Sequence, residues 1–416
     1  MTIIFGVGAT KIAPEADFGT KSVASYEYIE TVGPPAEDLQ RTHIENEAML
    51  QGLAKDISGE IGAGSESTFG MVVPLRGYDT GVVSAEPALA TDITPDARLS
   101  ASGLGGIYAG GYDGVGIVAL GTTDLLLVVT DASSFVDGQA ILVNGEIGWV
   151  EEVTTGGPET LALGFKLSGI PNASDKVYGT VNIYNIAGYN ATYARSLTIE
   201  QLGQAADDKS VMLGCRPGSL KISGEPKGHL LLDASFGMQS WARENTGGAP
   251  SGLTYAYPAK QQWTGGKCVI YNRTTSTRTE VNCSAIELDM LQGVEPQLNP
   301  NAVGGVAEWD KIAVRGVLTI DPFQGTETLV AGYGFEYNAG HAYTIMVQAG
   351  TIPGSVVGFV LPCCVQIVEP AKAEREARVA RALTFGTLGN TINSAATLDT
   401  YTDADPADKE IVLFQA

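Results

Sequence analysis

The side chains that most often carry catalysis or bind metals are few in this 416-residue chain, and they are scattered. The histidines His43, His229 and His341 stand far apart, and none lies in a metal-ligand spacing. The chain has neither a G-x-S-x-G nucleophile motif nor a Gly-Lys-Ser/Thr phosphate loop. These patterns predict that the protein is not an enzyme and has no catalytic, cofactor-binding or metal-binding residues.

The cysteines do not form the pattern of a disulfide framework, because their number is odd and their spacing is wide. They are Cys215, Cys268, Cys283, Cys363 and Cys364. Cys363 and Cys364 are adjacent in a strand-like segment, so their side chains should face opposite sides of a sheet. We expect buried, small apolar residues there. The first twenty residues lack the basic and apolar regions of a signal peptide, which favours synthesis in the cytoplasm.

The formal charge of −22 works against a role in gripping nucleic acid through its phosphates. Two interpretations remain open: the acidity serves solubility, or it lets nucleic acid pass without sticking. No apolar run approaches the length of a membrane span, so no membrane contact is expected. The acidic segment 399–408 lacks the glycine and final glutamate of an EF-hand loop, which predicts a surface turn.

Short alternating segments rich in Val, Ile, Leu and Thr, separated by glycine-rich turns, predict an all-β protein with one or two short helices. Residues 325–340 could form a poor helix, and the segment 371–383 reads equally well as helix or strand. The polar segment 34–54 is expected to be a long loop. The predicted strands that matter most are 25–33, 55–63, 196–202, 211–225, 229–237, 283–293, 309–321, 343–349 and 355–369.

The sequence also predicts an internal duplication. I-S-G-E followed by F-G-M occurs at 56–71 and at 221–238, but the flanking segments and spacings differ. This short match therefore lies in two strands that are not equivalent. Five other elements recur in the same order, which is hard to obtain by chance. The matched pairs are 28–33 with 288–293, 57–61 with 314–318, 196–202 with 343–349, 211–225 with 356–370, and 229–237 with 378–386.

Residues 118–183 stand apart as a dense set of strand patterns with a tight Asn144-Gly145 hairpin. This segment is similar to small β-barrel modules inserted in phage virion proteins. We expect it to form a separate barrel-like module on the outside of the molecule, and its removal should leave assembly intact. The alternative is that its strands belong to a larger sandwich.

The order of elements resembles that of tail tube proteins (major tail proteins) of long-tailed, siphovirus-type bacteriophages. The resemblance rests on SLTIEQLGQAADDKSVMLGCRPGSLKISGEPKGHLLLDASFGM (196–238), on AIELDMLQGVEPQLNPNAVGGVAEWDKIAVRGVLTIDPF (285–323) and on ADFGT (16–20). It covers about 1–110 and 184–416. These are diffuse strand patterns, and the 118–183 module departs from the minimal family pattern.

The resemblance implies two tandem tail-tube β-sandwich domains whose strands close an inter-subunit β-barrel. It divides the chain into an N-terminal arm (1–22), domain 1 (23–117 and 184–245), the inserted module (118–183), a linker (246–266) and domain 2 (267–416). It further implies homotrimeric, pseudo-hexameric rings stacked into a tube in the virion tail, through which DNA passes without specific binding. The implied partners are other copies of the chain, the tape measure protein, and the tail terminator and tail tip proteins, with no cofactor.

Two sets of residues are the candidate functional positions under this interpretation. The arm 1–22 and the loops 34–54 and 294–310 should gain order only against a neighbouring ring, because they bury too little apolar surface alone. The ring-stacking candidates are Phe18, Gly19, Thr20, Glu295 and Pro296. The carboxylates expected to line the channel are Glu27, Glu30, Asp56, Glu60, Glu287 and Asp289.

Two alternative functions stay open at the level of sequence. One is a different virion structural protein, such as a head decoration or tail terminator subunit. The other is a carbohydrate-binding β-protein, which would need an aromatic platform. The four tryptophans are widely spaced, which weakly disfavours that platform: Trp149, Trp241, Trp263 and Trp309.

Overall fold

The fold is all-β with few helices, as predicted: 59% of the structure is strand and 4% is helical. The structure is a computed structural model. The residues described are 9–24, 26–38, 41–44, 60–63, 67–78, 93–109, 114–118, 120–185, 195–203, 209–225, 227–244, 262–263, 266–299, 301–302, 305–322, 340–369, 373–375, 378–380, 382–388 and 410–416. The possible helix at 325–340 and most of the linker 246–266 lie outside these ranges.

The elements follow one another along the chain with a single helix among the described residues. The first are β1 (Ala9–Pro14), β2 (Glu27–Ile29), β3 (Ala36–Asp38), β4 (Arg41–Ile44), β5 (Glu60–Ala63), β6 (Thr68–Pro74), α1 (Pro95–Leu104) and β7 (Gly105–Ala109). Six short strands follow: β8 (Val115–Gly116), β9 (Leu126–Val128), β10 (Ala140–Val143), β11 (Glu146–Thr154), β12 (Thr160–Leu163) and β13 (Lys176–Gly179).

The remaining strands include the longest of the fold. They are β14 (Val181–Asn185), β15 (Leu197–Leu202), β16 (Lys209–Gly224), β17 (Leu231–Gly237), β18 (Ser240–Glu244), β19 (Lys267–Asn272), β20 (Thr277–Glu280), β21 (Cys283–Leu298), β22 (Val306–Pro322), β23 (Ala342–Ala349), β24 (Val357–Val368), β25 (Ala373–Arg375), β26 (Arg378–Ala380), β27 (Leu383–Thr387) and β28 (Val412–Gln415). The segment 371–383, which the sequence left open, contains the paired strands β25 and β26.

Two sets of seven strands are hydrogen-bonded in the same antiparallel order. Repeat 1 runs β2–β1–β15–β16–β17–β6–β3. Repeat 2 runs β20–β19–β23–β24–β27–β22–β21. In addition, β18 pairs with the first half of β16, as β28 pairs with the first half of β24. The duplication is therefore visible in the backbone pairing itself.

The irregularities of the two repeats coincide as well. The register between β15 and β16 shifts between Leu197 and Ile199, and the register between β23 and β24 shifts between Tyr343 and Ile345. A second shift lies between Pro217 and Ser219 of β16 and, in repeat 2, between Gln366 and Val368 of β24. Bulges are positional features of a fold, so two matching bulges fix the residue equivalence between the repeats.

One consequence is that Cys215 and Cys364 occupy equivalent positions, opposite Leu197 and Tyr343. Both thiols are buried, and burial raises the pKa of each well above its usual value. Cys363 is buried too, so the predicted packing role of the adjacent pair is confirmed. The thiols are held in the protonated form, which is the form that packs as a small apolar group.

Three of the five sequence matches pair equivalent strands, and two do not. The match of 57–61 with 314–318 is wrong, because the counterpart of the second half of β22 is β6. The match of 28–33 with 288–293 is also wrong, because β3 occupies in repeat 1 the place of β21. Within β16 and β24 the sequence match is four residues out of register.

The repeats share one hydrophobic core, which includes Ile12, Phe69 and Phe236 from repeat 1 and Tyr343 and Phe385 from repeat 2. The helix α1, which sequence patterns missed, packs on this core. Thr94 caps its N terminus by accepting from the Ala97 amide, and Gly105 ends it with a φ of 105°. Its serines and glycine have low helix propensity, so burial of the whole helix rather than local preference holds it.

The six strands β8 to β13 form a separate sheet in the order β8–β13–β10–β11–β12–β9. The chain closes this sheet into a small barrel, because Ile117 beyond β8 bridges Val129 beyond β9 and the Val118 amide donates to the Val128 carbonyl. The barrel interior is filled with apolar side chains such as Leu127, Phe135 and Leu161. Closure leaves it without exposed strand edges.

The barrel is inserted in repeat 1, between β7 and β14, but it packs on repeat 2. Trp149 and Phe165 on its outer face share a buried apolar cluster with Val269, Met346 and Phe414 of repeat 2. Around this cluster, Glu146 of the barrel accepts from Lys267 at 3.3 Å and from Arg278 at 2.8 Å. Arg273 pairs with Glu151 of β11 at the same interface. The barrel is therefore packed on repeat 2, and assembly of the chain without the barrel stays a prediction.

The corresponding face of repeat 1 is polar and carries no barrel. By strand register, Val269 and Met346 correspond to Lys11 and Glu200. Lys11 lies over the ring of Tyr28, and Glu200 bonds Lys209 at 3.2 Å. The two outer faces have thus diverged: the described residues of one carry paired charged side chains, and the other carries apolar side chains that contact the inserted barrel.

We predict that replacing residues 118–179 by a short Gly-Ser bridge lowers both solubility and thermal stability. The deletion exposes Val269, Met346 and Phe414, and fully exposing such a side chain costs about 1.5–3 kcal/mol. The matched variant carries the same deletion with Val269→Lys and Met346→Glu, which copy the pair in repeat 1. It should regain solubility. An unchanged soluble fraction and melting temperature for the simple deletion would contradict this account.

Glu146 gives the barrel contact a pH dependence. Burial alone would raise the pKa of Glu146, but the Ser168 hydrogen bond, Lys267 and Arg278 outweigh burial and lower it. A carboxyl whose folded-state pKa is lowered stabilises the fold above its unfolded pKa of about 4.3 and loses that contribution as pH falls. Thermal melts should show Glu146→Gln as less stable than wild type at pH 7 and nearly equal to it near pH 3. A difference in melting temperature that stays constant across this pH range would argue against a stabilising role for ionised Glu146.

Candidate functional site

The two repeats are joined edge to edge in one sheet. The second half of β16 pairs with β17 on one side and with β21 of repeat 2 on the other, through Leu220–Met290 to Gly224–Ile286. This junction creates a continuous antiparallel run in the order β3–β6–β17–β16–β21–β22–β27–β24. Twisted runs of this length curl, and the fold includes a curled half-barrel.

One face of this run packs on the core and the other faces solvent. In β16, Leu220 and Ile222 are buried, while the alternating residues Ser219, Lys221 and Ser223 are exposed or half-buried. The solvent face continues across the junction, because Lys221 lies opposite Asp233 of β17 and opposite Asp289 of β21. We call this face of β6, β17, β16, β21, β22 and β27 the polar face.

The polar face is acidic in its described residues. Lys221 bonds Glu287 at 2.7 Å, and both side chains are well exposed to solvent. The hydrogen bond to Glu287 raises the pKa of Lys221, and Asp289 and Asp233 act in the same direction. Around the junction one lysine therefore lies among three carboxylates, and the other side chains are mainly small and polar, such as Ser223 and Thr319.

The structure distributes the six carboxylates predicted for a channel over different places. Glu287 and Asp289 lie on the polar face, as their alternation with buried Leu288 requires. Glu27 and Glu30 do not: Glu27 accepts from Arg98 of α1 at 3.2 Å, and Glu30 pairs with Arg76. These two carboxylates lie away from the polar face, because strand β2 borders α1 and not the junction. Glu60 lies in β5, which pairs with β4 outside the main run. Asp56 lies outside the described residues.

The two ends of the polar run are open among the described strands. At one end, β3 pairs with β6 and has no second strand. At the other end, the last residues of β24 pair with β27 on one side only. By the repeat equivalence, β3 corresponds to β21, and the end of β24 corresponds to residues 217–219 of β16, directly before the part that joins β21. One open edge is therefore the counterpart of β21, and the other leads into the counterpart of the joining part of β16.

The N-terminal arm is more ordered than its composition indicates. Residues 9–14 form β1, which pairs with β15 and β2, and Ile12 and Ala13 are fully buried. The expectation that the whole arm 1–22 lacks order without a neighbour is wrong for its described residues. Sequence reasoning missed this because β1 is short and finds its apolar partners only in β15, nearly two hundred residues away.

A buried carboxylate fixes the turn that follows β1. Glu15 is 1% exposed and accepts hydrogen bonds from the Gly19 and Gly214 amides, both at 2.9 Å, and from the hydroxyls of Ser196 and Thr198. Four donors satisfy the charge without a cationic partner, as a buried carboxylate requires. No feature of the sequence marks this glutamate among the forty-seven acidic residues.

The same turn brings the two sets of stacking candidates together. Gly19, at φ +70°, leaves no room for a Cβ, which would lie 1.5 Å from Oε1 of Gln239. Gln239 donates in turn from Nε2 to the Val306 carbonyl at 2.7 Å, at the tip of the hairpin β21–β22. Phe18 packs near Gly214, and Thr20 is exposed beside it. The arm turn and the hairpin tip thus form one surface region.

Glu295 and Pro296 are strand residues, not loop residues. They pair with Asp310 and Trp309 in the extended hairpin β21–β22, so the predicted loop 294–310 is wrong apart from its tip. The hairpin is ordered because Val306 and Trp309 are buried against repeat 1, where Trp309 covers Gly237. At the tip, Leu298 is 73% exposed.

The described residues contain no cluster of three or more His, Cys, Asp or Glu side chains that could hold a metal ion. Within the same residues, no helix has both the length and the apolar character needed to cross a membrane. His229 bridges Gln262 at a sheet margin, and His341 contacts the Asn272 amide at 2.9 Å. His43 lies in β4, paired with Ile61. These three histidines lie in different parts of the fold.

We predict that Glu15→Gln destabilises the protein by about 2–3 kcal/mol, since an amide nitrogen would replace an acceptor oxygen among four donors. The control is Asp17→Asn, a neighbouring carboxylate exposed to solvent. Urea unfolding measures the difference, and limited proteolysis should show earlier cleavage within residues 9–22 for Glu15→Gln. Equal unfolding free energies for the two variants would rule out an anchoring role for Glu15.

A comparison with the models of known protein families and a comparison with curated proteins each found no match for this chain. Its function is therefore inferred from the duplicated fold, the two open edges and the polar face.

Proposed function

We propose that this protein is a structural subunit of a phage tail tube. It polymerises as rings that stack into a tube, and the polar face lines the channel through which DNA passes during ejection. The observation that carries this proposal is the correspondence between the internal junction and the two open edges. A chain with such edges can repeat the β16–β21 contact with another copy, and then with a third.

The edges are complementary but not identical, so the contact between copies is head-to-tail. Such heterologous contacts close into a ring when the rotation per copy divides a full turn. The junction inside the chain already rotates one repeat onto the other, and closure removes the exposed strand edges that would otherwise aggregate. Three chains, as the resemblance to tail tube proteins implies, would supply six repeats around the axis.

The chemistry of the polar face suits passage of DNA. DNA carries one negative charge per roughly 1.7 Å of its axis, and lysines or arginines that meet its phosphates hold it. A wall with Asp233, Glu287 and Asp289 around Lys221 offers little that would grip phosphates. Small hydroxyl side chains such as Ser223 and Thr319 make up much of the remaining surface, together with the half-buried Val72, Leu231 and Val317. Transient, non-specific passage is therefore the proposed relation to DNA.

Stacking of rings would use the region where the arm turn meets the hairpin tip. Phe18, Gly19 and Thr20 lie near the hairpin that contains Glu295 and Pro296, and Leu298 extends into solvent. The further partners that follow from the resemblance are the tape measure protein inside the tube and the tail terminator and tail tip proteins at its ends. The proposed location is the tail of the virion.

Carbohydrate binding is disfavoured by the tryptophans. Trp149, Trp263 and Trp309 are buried, and Trp241 is half-buried against the core. A sugar-binding platform needs an exposed aromatic face, and these four rings are used in packing. No catalytic role is proposed.

The test is electron microscopy of the purified full-length chain at increasing concentration. We expect rings and stacked tubes with three chains and six sheet repeats per ring. Monomers at all concentrations, or rings of six chains, would contradict the proposal. Closed caps that never extend would favour the tail terminator alternative.

A stacking variant separates rings from tubes. Leu298→Asp should leave three-chain rings intact and shorten or abolish tubes. The control is Leu120→Asp on the inserted barrel, where Leu120 is 87% exposed. Tubes of normal length from Leu298→Asp would remove the hairpin tip from the stacking surface.

A further inference from the structure

Three large apolar side chains lie exposed together where the polar run ends in repeat 2. Ile367 and Val368 at the end of β24 are 43% and 51% exposed, and Leu388 just after β27 is 44% exposed. They lie on neighbouring strands: Val368 pairs with Thr384 of β27, Ile367 lies over Gly386, and Leu388 follows two residues after Gly386. We call Ile367, Val368 and Leu388 the apolar patch. Its position beside a polar channel face calls for a cover.

The equivalent place in repeat 1 shows how such a surface is covered. By the repeat register, Gly386 corresponds to Gly237, and Leu388 corresponds to Gln239. Gly237 lies under the ring of Trp309, and Gln239 bonds the Val306 carbonyl. Both of these partners belong to the hairpin β21–β22 of repeat 2. In repeat 1, therefore, the hairpin of the adjoining repeat covers the site.

Repeat 1 has a hairpin in the corresponding position. The strands β4 and β5 lie between β3 and β6 in the chain, as the tip of the hairpin lies between the paired bodies of β21 and β22. They pair with each other from Arg41–Ala63 to Ile44–Glu60 and form a two-stranded sheet of their own. Two-stranded hairpins are marginally stable unless they pack on something else.

We infer that the β4–β5 hairpin of a second copy of this chain covers the apolar patch on repeat 2. The inference rests on the proposed ring function and names a contact of that assembly. At the junction inside the chain, repeat 2 sends its hairpin over repeat 1. At the junction between chains, repeat 1 of the next copy would send β4–β5 over repeat 2. Each ring would then hold its copies by strand pairing and by this apolar contact.

The first test alters the patch. The variant Ile367→Asn with Leu388→Gln should fold normally, since both side chains are about half exposed, but should need at least roughly tenfold more protein to form rings. The control variant is Leu120→Gln with Ile352→Asn, which removes two apolar side chains that are 87% and 69% exposed elsewhere. Mass photometry measures ring formation, and thermal melting verifies the fold. Ring formation by the patch variant at the wild-type concentration would overturn the inference.

The second test identifies the cover directly. A photo-crosslinking phenylalanine derivative at position 388 is incorporated in unlabelled protein, which is mixed with isotope-labelled chains before assembly. Mass spectrometry should find crosslinks to labelled peptides containing Arg41–Ile44 or Glu60–Ala63. Rings whose crosslinks reach only the same chain or other segments would overturn this contact and leave the ring function standing. Wild-type protein that forms no rings would instead refute the proposed function, and this contact with it.

Discussion

The pairing of β16 with β21 is the contact on which the arrangement of the molecule depends. A strand edge exposes unpaired amides and carbonyls, and five residue pairs at this junction satisfy them by joining the second half of β16 to the edge strand β21 of repeat 2. The junction sets the rotation between the repeats and merges their cores. It also leaves, among the described strands, one open edge at each end of the run: β3, the counterpart of β21, and the end of β24, which leads into the counterpart of the joining part of β16.

A duplication initially produces two repeats with identical outer faces, but in this protein the outer faces of the two repeats differ. Lys11, which lies over Tyr28, and Glu200, which pairs with Lys209, make the outer face of repeat 1 polar, while Val269 and Met346 at the same positions accept the inserted barrel. The barrel is encoded within repeat 1 yet covers repeat 2, so the insertion ties the halves together on the side away from the polar face. In an assembly of identical chains, equivalent sites carry the same residues in every copy. Two repeats within one chain can carry different residues at equivalent sites.

Polar groups are buried in this fold only where partners satisfy them. Glu15 is surrounded by four donors, and Asp96 in α1 accepts from the Arg76 amide at 3.0 Å and from Gln415 at 2.8 Å. Burial raises the pKa of Asp96, whereas hydrogen bonds from Thr94 and Arg76 oppose that rise. Both carboxylates connect segments distant in sequence, the arm to β16 and α1 to the C-terminal strand. They hold the ends of the chain against the duplicated core.

The sequence by itself determined the all-β class, the burial of Cys363 and Cys364, the existence of a duplication and the alternation that turns Glu287 and Asp289 outward. The first, second and fourth of these follow from the two-residue alternation of apolar and polar residues, and the duplication follows from elements that recur in the same order. Both signals are local and do not depend on the tertiary environment. Tertiary structure decided the rest. Only long-range pairing shows that β6, not 57–61, is the counterpart of β22, that the arm contributes β1, and that 294–298 extends a strand. The helix α1 and the role of Glu15 depend on burial among partners far along the chain, and no local pattern encodes that environment.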